Sequence, residues 1–221
     1  METQTGTITY IRDAGGVQGR DEFTRTRMDD GSLVVQARTV TEDTQVVRDV
    51  NHLLAPDNRP LSSHIVQWIN GTRTGDGWFL ADGGGVSVST WLARQGVICQ
   101  RIETAAWPAF IVPHAVICDA FICARYDHGL GGRQAIDGGI RSSPLANGLT
   151  GPLGDLMACV WLTRLGNEDV TVPAGTFTAD HFRIESGAGE VDDMWVRRSD
   201  LLLVRLRSDR LATTYELHQL T

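Results

Sequence analysis

The sequence stretch that decides the fold runs from residue 107 to residue 128 and reads WPAFIVPHAVICDAFICARYDH. It lies in residues 105–152, the one long segment that does not divide into short strands and tight turns. The rest of that segment is rich in glycine, with eight between Asp127 and Gly154. Long loops inside compact domains are usually lids or binding loops. We therefore predict a helix between Pro108 and Tyr126, followed by a mobile cover over one end of a β-rich body.

Residues 5–101 alternate between apolar runs and turn signals at the spacing that antiparallel sandwiches and barrels show. The runs are rich in Val, Thr, Ile and Trp, as strands prefer. Six predicted strands are Arg20–Met28, Leu33–Val40, Gln45–Leu54, Leu61–Ile69, Trp78–Ala81 and Val86–Trp91. The turn signals between them include Asp29-Asp-Gly31, Asn70-Gly71 and Asp82-Gly-Gly-Gly85, and Asn70-Gly71 is a strong hairpin signal.

Strands resume after the central segment, joined by short polar connections such as residues 166–169. The predicted strands are Met157–Leu165, Val170–Val172, Thr176–Glu185, Asp193–Arg197, Leu201–Arg207 and Leu211–Leu220. Phe182 and Ile184 alternate with polar residues. In the same way, Leu202, Val204 and Leu206 lie on one face of their strand, and Arg205 and Arg207 lie on the other. One face of the sheet therefore packs inward and the other carries charge.

The fold class that follows is mainly β: a single domain over residues 1–221, built as an antiparallel barrel or strongly curved sheet with one inserted helix and a Gly-rich loop. A chain of this length can bury a sizeable core as one unit. We find no linker, internal repeat or low-complexity tract.

Short motifs in the carboxy-terminal third resemble an uncharacterised bacterial β-barrel family of hypothetical proteins. They are Val172-Pro-Ala-Gly-Thr-Phe177, His181-Phe-Arg183, Met194-Trp-Val196, Leu201-Leu-Leu-Val-Arg205 and Tyr215-Glu-Leu217. The resemblance covers about fifty residues of the 221. It implies an antiparallel β fold and no particular activity.

Composition narrows the class of partner. The chain has 42% hydrophobic and 21% charged residues, a net charge of -7 and a pI near 5.3, which favours a globular protein and weighs against nucleic acid. No signal-like amino terminus and no apolar run of membrane-spanning length is present, so we expect a cytoplasmic protein without a membrane partner. A small apolar molecule is the expected partner, and homo-oligomerisation is left open.

Cysteine and histidine spacing gives no closed metal site. Cys99, Cys118, Cys123 and Cys159 stand among apolar residues without CxxC spacing, so we expect buried, reduced thiols. His114 and Cys118 are one helical turn apart, as two metal ligands would be, but no spacing marks further ligands. A histidine at the start of the helix after Pro113 explains the pair as well. We predict no metal, and the lack of nucleotide-binding motifs predicts no cofactor.

Ionisable groups are densest around the predicted helix: His114, Asp119, Tyr126, Asp127 and His128. An acid beside an imidazole at the mouth of an apolar cavity suits acid/base catalysis, because burial and charge tune the pKa values. These five are the candidate catalytic residues, with His114 or His128 moving the proton. In the structural alternative, residues 127–129 simply end the helix.

Aromatic residues and one further histidine are the candidates for binding an apolar or aromatic ligand: His64, Trp68, Trp107, Phe110 and Phe121. His64 shares a strand face with Trp68 and is a candidate for the barrel interior, although a structural histidine fits the same pattern. Two functions remain open. One is a cofactor-independent lyase, isomerase or hydrolase using acid/base chemistry; the other is a non-catalytic barrel that binds an apolar ligand or a protein.

Overall fold

The computed structural model describes residues 1–145, 148–187 and 189–221. Within them, one antiparallel sheet contains fourteen strands in the order β10-β13-β14-β15-β16-β17-β1-β2-β3-β4-β5-β6-β7-β8. The strands are β1 Glu2–Arg12, β2 Val17–Arg27, β3 Leu33–Thr41, β4 Val46–Leu54, β5 Pro60–Ile69, β6 Thr72–Asp82, β7 Gly85–Leu92, β8 Gly96–Glu103, β10 Arg133–Ile136, β13 Val160–Val172, β14 Gly175–Glu185, β15 Val191–Arg197, β16 Leu202–Ser208 and β17 Thr213–Leu220. A small second sheet contains β9 Phe110–Val112, β11 Gly139–Arg141 and β12 Asp155–Leu156.

The large sheet consists of two meanders that meet at a central seam. Strands β1 to β8 pair in sequence order, as do β13 to β17, and β17 pairs with β1. Tyr10 lies opposite Tyr215 at this seam. The sheet does not close, because β8 and β10 are its two edges. The fold class predicted from the sequence is confirmed in its curved-sheet form.

Alternation along the strands separates a packed inner face from a polar outer face. On β4, for example, Val46, Val50 and Leu54 are buried while Asn51 is exposed. Phe182, Ile184, Leu202 and Leu206 are buried as predicted, among others. Leu203 is buried as well. A register shift between Trp195 and Val196 accompanies this break in the alternation.

The central segment fills the inside of the curved sheet, but its helix is shorter than predicted. A 3₁₀ helix spans Val116–Arg125, and Phe110–Val112 is strand β9. The prediction of a helix from Pro108 to Tyr126 is therefore wrong over its first eight residues. Pro113 disfavours helical conformation at the preceding residue, and β9 gains a parallel partner in β11.

A buried carboxylate from a distant strand holds the start of this helix. Ala115 at the helix start makes no side-chain capping bond. Instead the Ile117 backbone N–H donates to Asp21 Oδ2 of β2 at 3.1 Å, and Val116 also donates to this carboxylate. Tyr10 O–H donates to its other oxygen. The contact ties the helix to the seam between the two meanders.

The Gly-rich segment, residues 129–154, includes a stretch that lies against the inner face of β6 to β8. Gly75 and Gly77 leave room for Pro152, since a Cβ on either would lie within 2.8 Å of the proline ring. Thr90 Oγ1 donates to the Pro152 carbonyl, and the Gln100 amide bonds Gly154 through both its N–H and its oxygen. Ala146 and Asn147 of the predicted cover lie outside the described residues.

Several local predictions need correction. The predicted connection at residues 166–169 is part of β13, which continues through a register shift between Arg164 and Gly166. Strands β1 and β8 were not among the individual strands predicted from sequence. Cys118 and Cys123 are buried as predicted, but Cys99 is exposed on the outer face of edge strand β8 and Cys159 is half-buried. The described part of the chain contains no helix long and apolar enough to cross a membrane.

Candidate functional site

A small polar cavity lies between the inner face of the sheet and the Gly-rich segment. It is packed so closely that the space between its side chains is too small for a water molecule. Side chains from β4 and β5, from the residues after β9 and from the Gly-rich segment line it: Arg48, Ile65, Gln67, His114, Ser142, Ser143, Gly148, Gly151 and Pro152. His114, one of the predicted catalytic residues, lies beneath the Gly-rich segment and lines this cavity.

His114 is held in an unusual backbone conformation by two hydrogen bonds from its ring. Its φ is 57°, a left-handed value that residues other than glycine seldom adopt. Nε2 lies 3.2 Å from the Leu145 carbonyl oxygen and Nδ1 lies 2.9 Å from Ser142 Oγ. Since a carbonyl can only accept, Nε2 carries the proton and Nδ1 accepts from the serine hydroxyl. The result is a serine–histidine pair with a fixed tautomer.

The imidazole of His114 is neutral at physiological pH. Burial lowers its pKa from 6.5 to about 3, and the positive charge of Arg48 adds to the effect. Nδ1 is therefore available as a proton acceptor over the whole physiological range. Its basicity is low until a negative charge develops near Arg48.

Arg48 is the buried cation of the cavity. Only 5% of it is exposed, and its Nε donates to Gln67 Oε1 at 3.0 Å. Burial lowers its pKa to about 10, while Tyr10 and Asp21 act in the opposite direction. Arg48 stays charged at neutral pH, so the cavity contains a fixed positive charge beside a neutral histidine.

The Gly-rich segment closes the cavity by direct contact. Gly148 has a φ of 68°, and a Cβ on it would lie 2.2 Å from Arg48 Nη2 and 3.1 Å from the His114 ring. The hydroxyls of Ser143 and Thr150 are hydrogen-bonded to each other. Access to the serine–histidine pair therefore requires movement of this segment.

The other four candidate catalytic residues lie elsewhere. The carboxyl of Asp119 is inside the fold, where burial and the charges of Asp21 and Asp192 raise its pKa well above the usual range. Tyr126 donates its hydroxyl to the Gly132 carbonyl at 2.9 Å and contacts His128 edge-on at a centroid distance of 5.2 Å.

Asp127 follows the helix and accepts from the Gly129 N–H at 2.7 Å. Together with Tyr126 and His128 it belongs to the turn after the helix, as in the structural alternative. The five candidates thus do not converge on one site, and only His114 lines the cavity.

The candidate ligand-binding residues also separate. His64 and Trp68 lie on the outer face of β5, so His64 does not line the interior. Trp107 donates its indole N–H to the Pro60 carbonyl at 2.7 Å. Phe110 and Phe121 are buried in the core, with exposures of 2% and 1%. Phe110 packs on Gly139, where a Cβ would lie 2.2 Å from its ring.

Sequence reasoning missed most of the cavity. Arg48 lies two residues from both Val46 and Val50, and this spacing already places it with them on the inner face. Gln67 follows from the same rule on β5. Ser142 and Ser143 have no such signal, because they lie outside any periodic element. No group of three or more His, Cys, Asp or Glu in the described part of the chain could hold a metal ion.

Comparisons with known proteins support the fold and nothing finer. A β-barrel-like protein of a domain of unknown function (DUF1849) from Brucella abortus superimposes with a TM-score of 0.63 over 99% of this chain and 96% of its own, at 8% identity. A protein of another such family (DUF1089) from Pseudomonas aeruginosa gives 0.45 at 15% identity, over 86% and 89% of the two chains. No family model and no curated protein matches the sequence.

The Brucella likeness spans the whole chain and not only the carboxy-terminal third to which the sequence motifs pointed. At such low identity the likeness concerns architecture alone. The protein therefore has the fold of bacterial β-barrel-like proteins of unknown function.

Proposed function

We propose that this protein is a cofactor-independent hydrolase that acts on esters of small acids at the cavity between Arg48 and His114. The observation that carries the proposal is the 2.9 Å contact between Ser142 Oγ and His114 Nδ1 beside a buried cation. It keeps the acid/base chemistry expected from the sequence, with His114 as the proton-transfer group. The sequence led us to expect an apolar or aromatic substrate. Because the cavity lining is polar, we propose a small polar substrate instead.

Each group in the cavity has a role in this chemistry. Ser142 Oγ attacks the ester carbonyl while its proton passes to His114 Nδ1, and the proton then goes to the departing alkoxide. Water hydrolyses the acyl-serine by the same route. The Leu145 carbonyl fixes the tautomer. Arg48 stabilises the oxyanion, and that negative charge raises the basicity of His114 at the moment the proton is needed.

The cavity restricts the acyl group. With the segment closed, the space between its side chains is too small to hold a water molecule. The cover must therefore open for an ester to enter, and a small acyl group such as acetyl needs the least opening. The His114 backbone supports a functional role, because left-handed residues of this kind concentrate at active sites.

The test uses p-nitrophenyl acetate with the wild-type protein and Ser142→Ala. We expect a burst of p-nitrophenolate and one acetyl group on Ser142, located by mass spectrometry of the digested protein. Ser142→Ala shows no burst, and His114→Gln slows acylation at least about 100-fold, the lower range for a lost acid/base group. Circular dichroism checks that both variants remain folded.

Ser89→Ala and His218→Gln are the matched controls, since both residues are exposed on strands away from the cavity. Both should react like the wild type. An acetyl group found on another residue, or equal acylation of Ser142→Ala, would overturn the proposal. In that case the alternative of a non-catalytic binding protein becomes the better description.

A further inference from the structure

A hollow of the described surface lies on the outer face of the sheet, across the seam and away from the cavity. It is an open trough of about 630 Å³ over β1 to β4 and the end of the chain. Half of the fourteen residues that line it carry neutral hydroxyl or amide groups: Thr5, Thr7, Thr24, Gln36, Asn51, Gln219 and Thr221. The trough can therefore form many hydrogen bonds without a strong charge.

The charges that border the trough are already paired. Arg38 Nη1 lies 3.1 Å from Asp49 Oδ1, and Glu22 lies 2.7 Å from Arg20 Nε. Each charged side chain that lines the trough therefore has an opposite charge beside it. The trough thus favours an uncharged ligand over a nucleic acid, a phosphorylated molecule or an acidic peptide.

One contact fixes the direction of two polar groups in the trough, and a second holds two hydroxyls together. Gln36 Nε2 donates to Asn51 Oδ1 at 3.1 Å, which leaves Gln36 Oε1 as an acceptor beside the Asn51 amide as a donor. Thr5 and Thr221 hydroxyls are 2.6 Å apart. A neighbouring acceptor and donor match two adjacent hydroxyls of a sugar ring, each of which donates and accepts.

One row of directly paired residues connects the trough to an exposed aromatic side chain. The row crosses six strands in the order Thr5, Thr24, Gln36, Asn51, His64 and Trp78. At about 4.8 Å between strands it is about 24 Å long. This length accommodates several sugar rings in line.

Trp78 is arranged as a platform at the end of that row. It is 50% exposed, and its ring stacks on His64 at a centroid distance of 4.0 Å and an angle of 14°. Asp76 fixes His64 through a 2.9 Å contact with Nε2. A supported indole offers the flat apolar face on which the C–H groups of a sugar ring stack.

A second hairpin has the same arrangement in closed form. His181 stacks on Trp195 at 4.2 Å, and Asp193 contacts His181 as Asp76 contacts His64. There, however, Trp195 donates its indole N–H to Glu168, and the Arg205 guanidinium lies near its ring. Trp195 is also partly buried. Trp78 differs by its exposure at the end of the polar row.

We propose that the outer face from Thr5 to Trp78 binds an uncharged oligosaccharide, with the amides and hydroxyls of the trough directing its hydroxyls and Trp78 stacking on a ring. An extended peptide is less suited, because the strands under the trough are paired on both sides and offer no free backbone edge. The site is independent of the hydrolase chemistry.

The experiment titrates maltohexaose, cellohexaose and chitohexaose into the full chain by calorimetry, with a heparin hexasaccharide as the charged comparison. We expect one neutral hexasaccharide to bind and Trp78→Ala to weaken its binding about tenfold or more, as for an aromatic anchor. The double variant Gln36→Ala/Asn51→Ala should weaken it as well.

Leu80→Ala is the control, because Leu80 lies two residues from Trp78 on the same face and is 54% exposed. The Leu80→Ala variant should bind the hexasaccharide as tightly as the wild type does. Three results would overturn the proposal: no binding of any neutral hexasaccharide, preference for heparin, or equal binding by Trp78→Ala and the wild type.

Discussion

At the scale of single residues, the cavity depends on close approach between the Gly-rich segment and two buried side chains. A Cβ on Gly148 would lie 2.2 Å from Arg48 Nη2, closer than real Cβ contacts come, and a tight 3.1 Å from the His114 ring. Arg48 cannot swing aside freely, since it is 5% exposed and bonded to Gln67. The glycine therefore matters both for its left-handed φ and for its size.

We predict that Gly148→Ala lowers the free energy of unfolding by about 2–4 kcal/mol, from left-handed strain of about 1 kcal/mol and overpacking of 1–3 kcal/mol. Urea titration measures the loss. Gly71→Ala is the matched control, because Gly71 has a φ of 73° and nothing within 4 Å of a built Cβ. It should lose only the strain. Equal losses in the two variants would mean that the segment does not press on Arg48.

The sequence predicts which face a strand residue occupies, but it does not predict where residues of the Gly-rich segment lie. Period-two alternation places Arg48 and Gln67 inside, because each shares its face with buried apolar neighbours. His114 and Ser142 are 28 positions apart, and their contact depends on the path of an aperiodic segment. No local spacing encodes such a pair, so the serine could not be found from sequence.

At the scale of secondary-structure elements, the helix depends on Asp21, a residue almost a hundred positions away. Its carboxylate accepts from the first N–H groups of the helix and from Tyr10. Burial raises its pKa from 3.8 to about 6 against the lowering effect of these hydrogen bonds. The sequence predicted a helix from apolar residues alone and could not show that a strand supplies its cap.

This element gives a prediction about pH. Between about pH 4 and pH 6 the native state holds a proton on Asp21 that the unfolded state has released, so its contribution to stability is full below pH 4 and lost as the pH rises through 6. The shift of about two pKa units corresponds to about 3 kcal/mol. Relative to Asp21→Asn, the wild type should lose about this free energy of unfolding between pH 4 and pH 7.

Urea unfolding of both proteins across this range gives the difference between their free energies of unfolding. The contributions of other titrating groups, such as the buried His52, are the same in both proteins and cancel in this difference. Asp57→Asn, a change in an exposed turn, is the control and should run parallel to the wild type. A constant difference between wild type and Asp21→Asn would show that the Asp21 carboxyl titrates alike in the folded and unfolded chain.

At the scale of the whole molecule, two meanders are joined at the β1–β17 seam and share one interior. The sequence predicted antiparallel strands because consecutive strands pair through short turns, as the register confirms. It left barrel and curved sheet open. That choice depends on whether β8 meets β10. The two strands remain the edges of the sheet, and the central segment packs on the inner face of β7 and β8.

The seam brings together residues as distant as Thr5 and Thr221, which are 216 positions apart. Closing so long a loop is entropically costly until both partners are formed. We therefore expect the seam to form late, after the local hairpins. Leu217, which is fully buried on β17, reports on the seam, and Leu54, paired with Leu33 in a local hairpin, reports on the first meander.

We predict that Leu217→Ala and Leu54→Ala each destabilise the protein by about 2–5 kcal/mol, the range for buried leucines. Stopped-flow refolding and unfolding in urea should separate them. The loss in Leu217→Ala should appear almost wholly as faster unfolding, with a φ-value below about 0.3, whereas Leu54→Ala should also slow folding. A higher φ-value for Leu217 than for Leu54 would show that the seam nucleates folding, and the long loop between the halves would then be closed before the hairpins form.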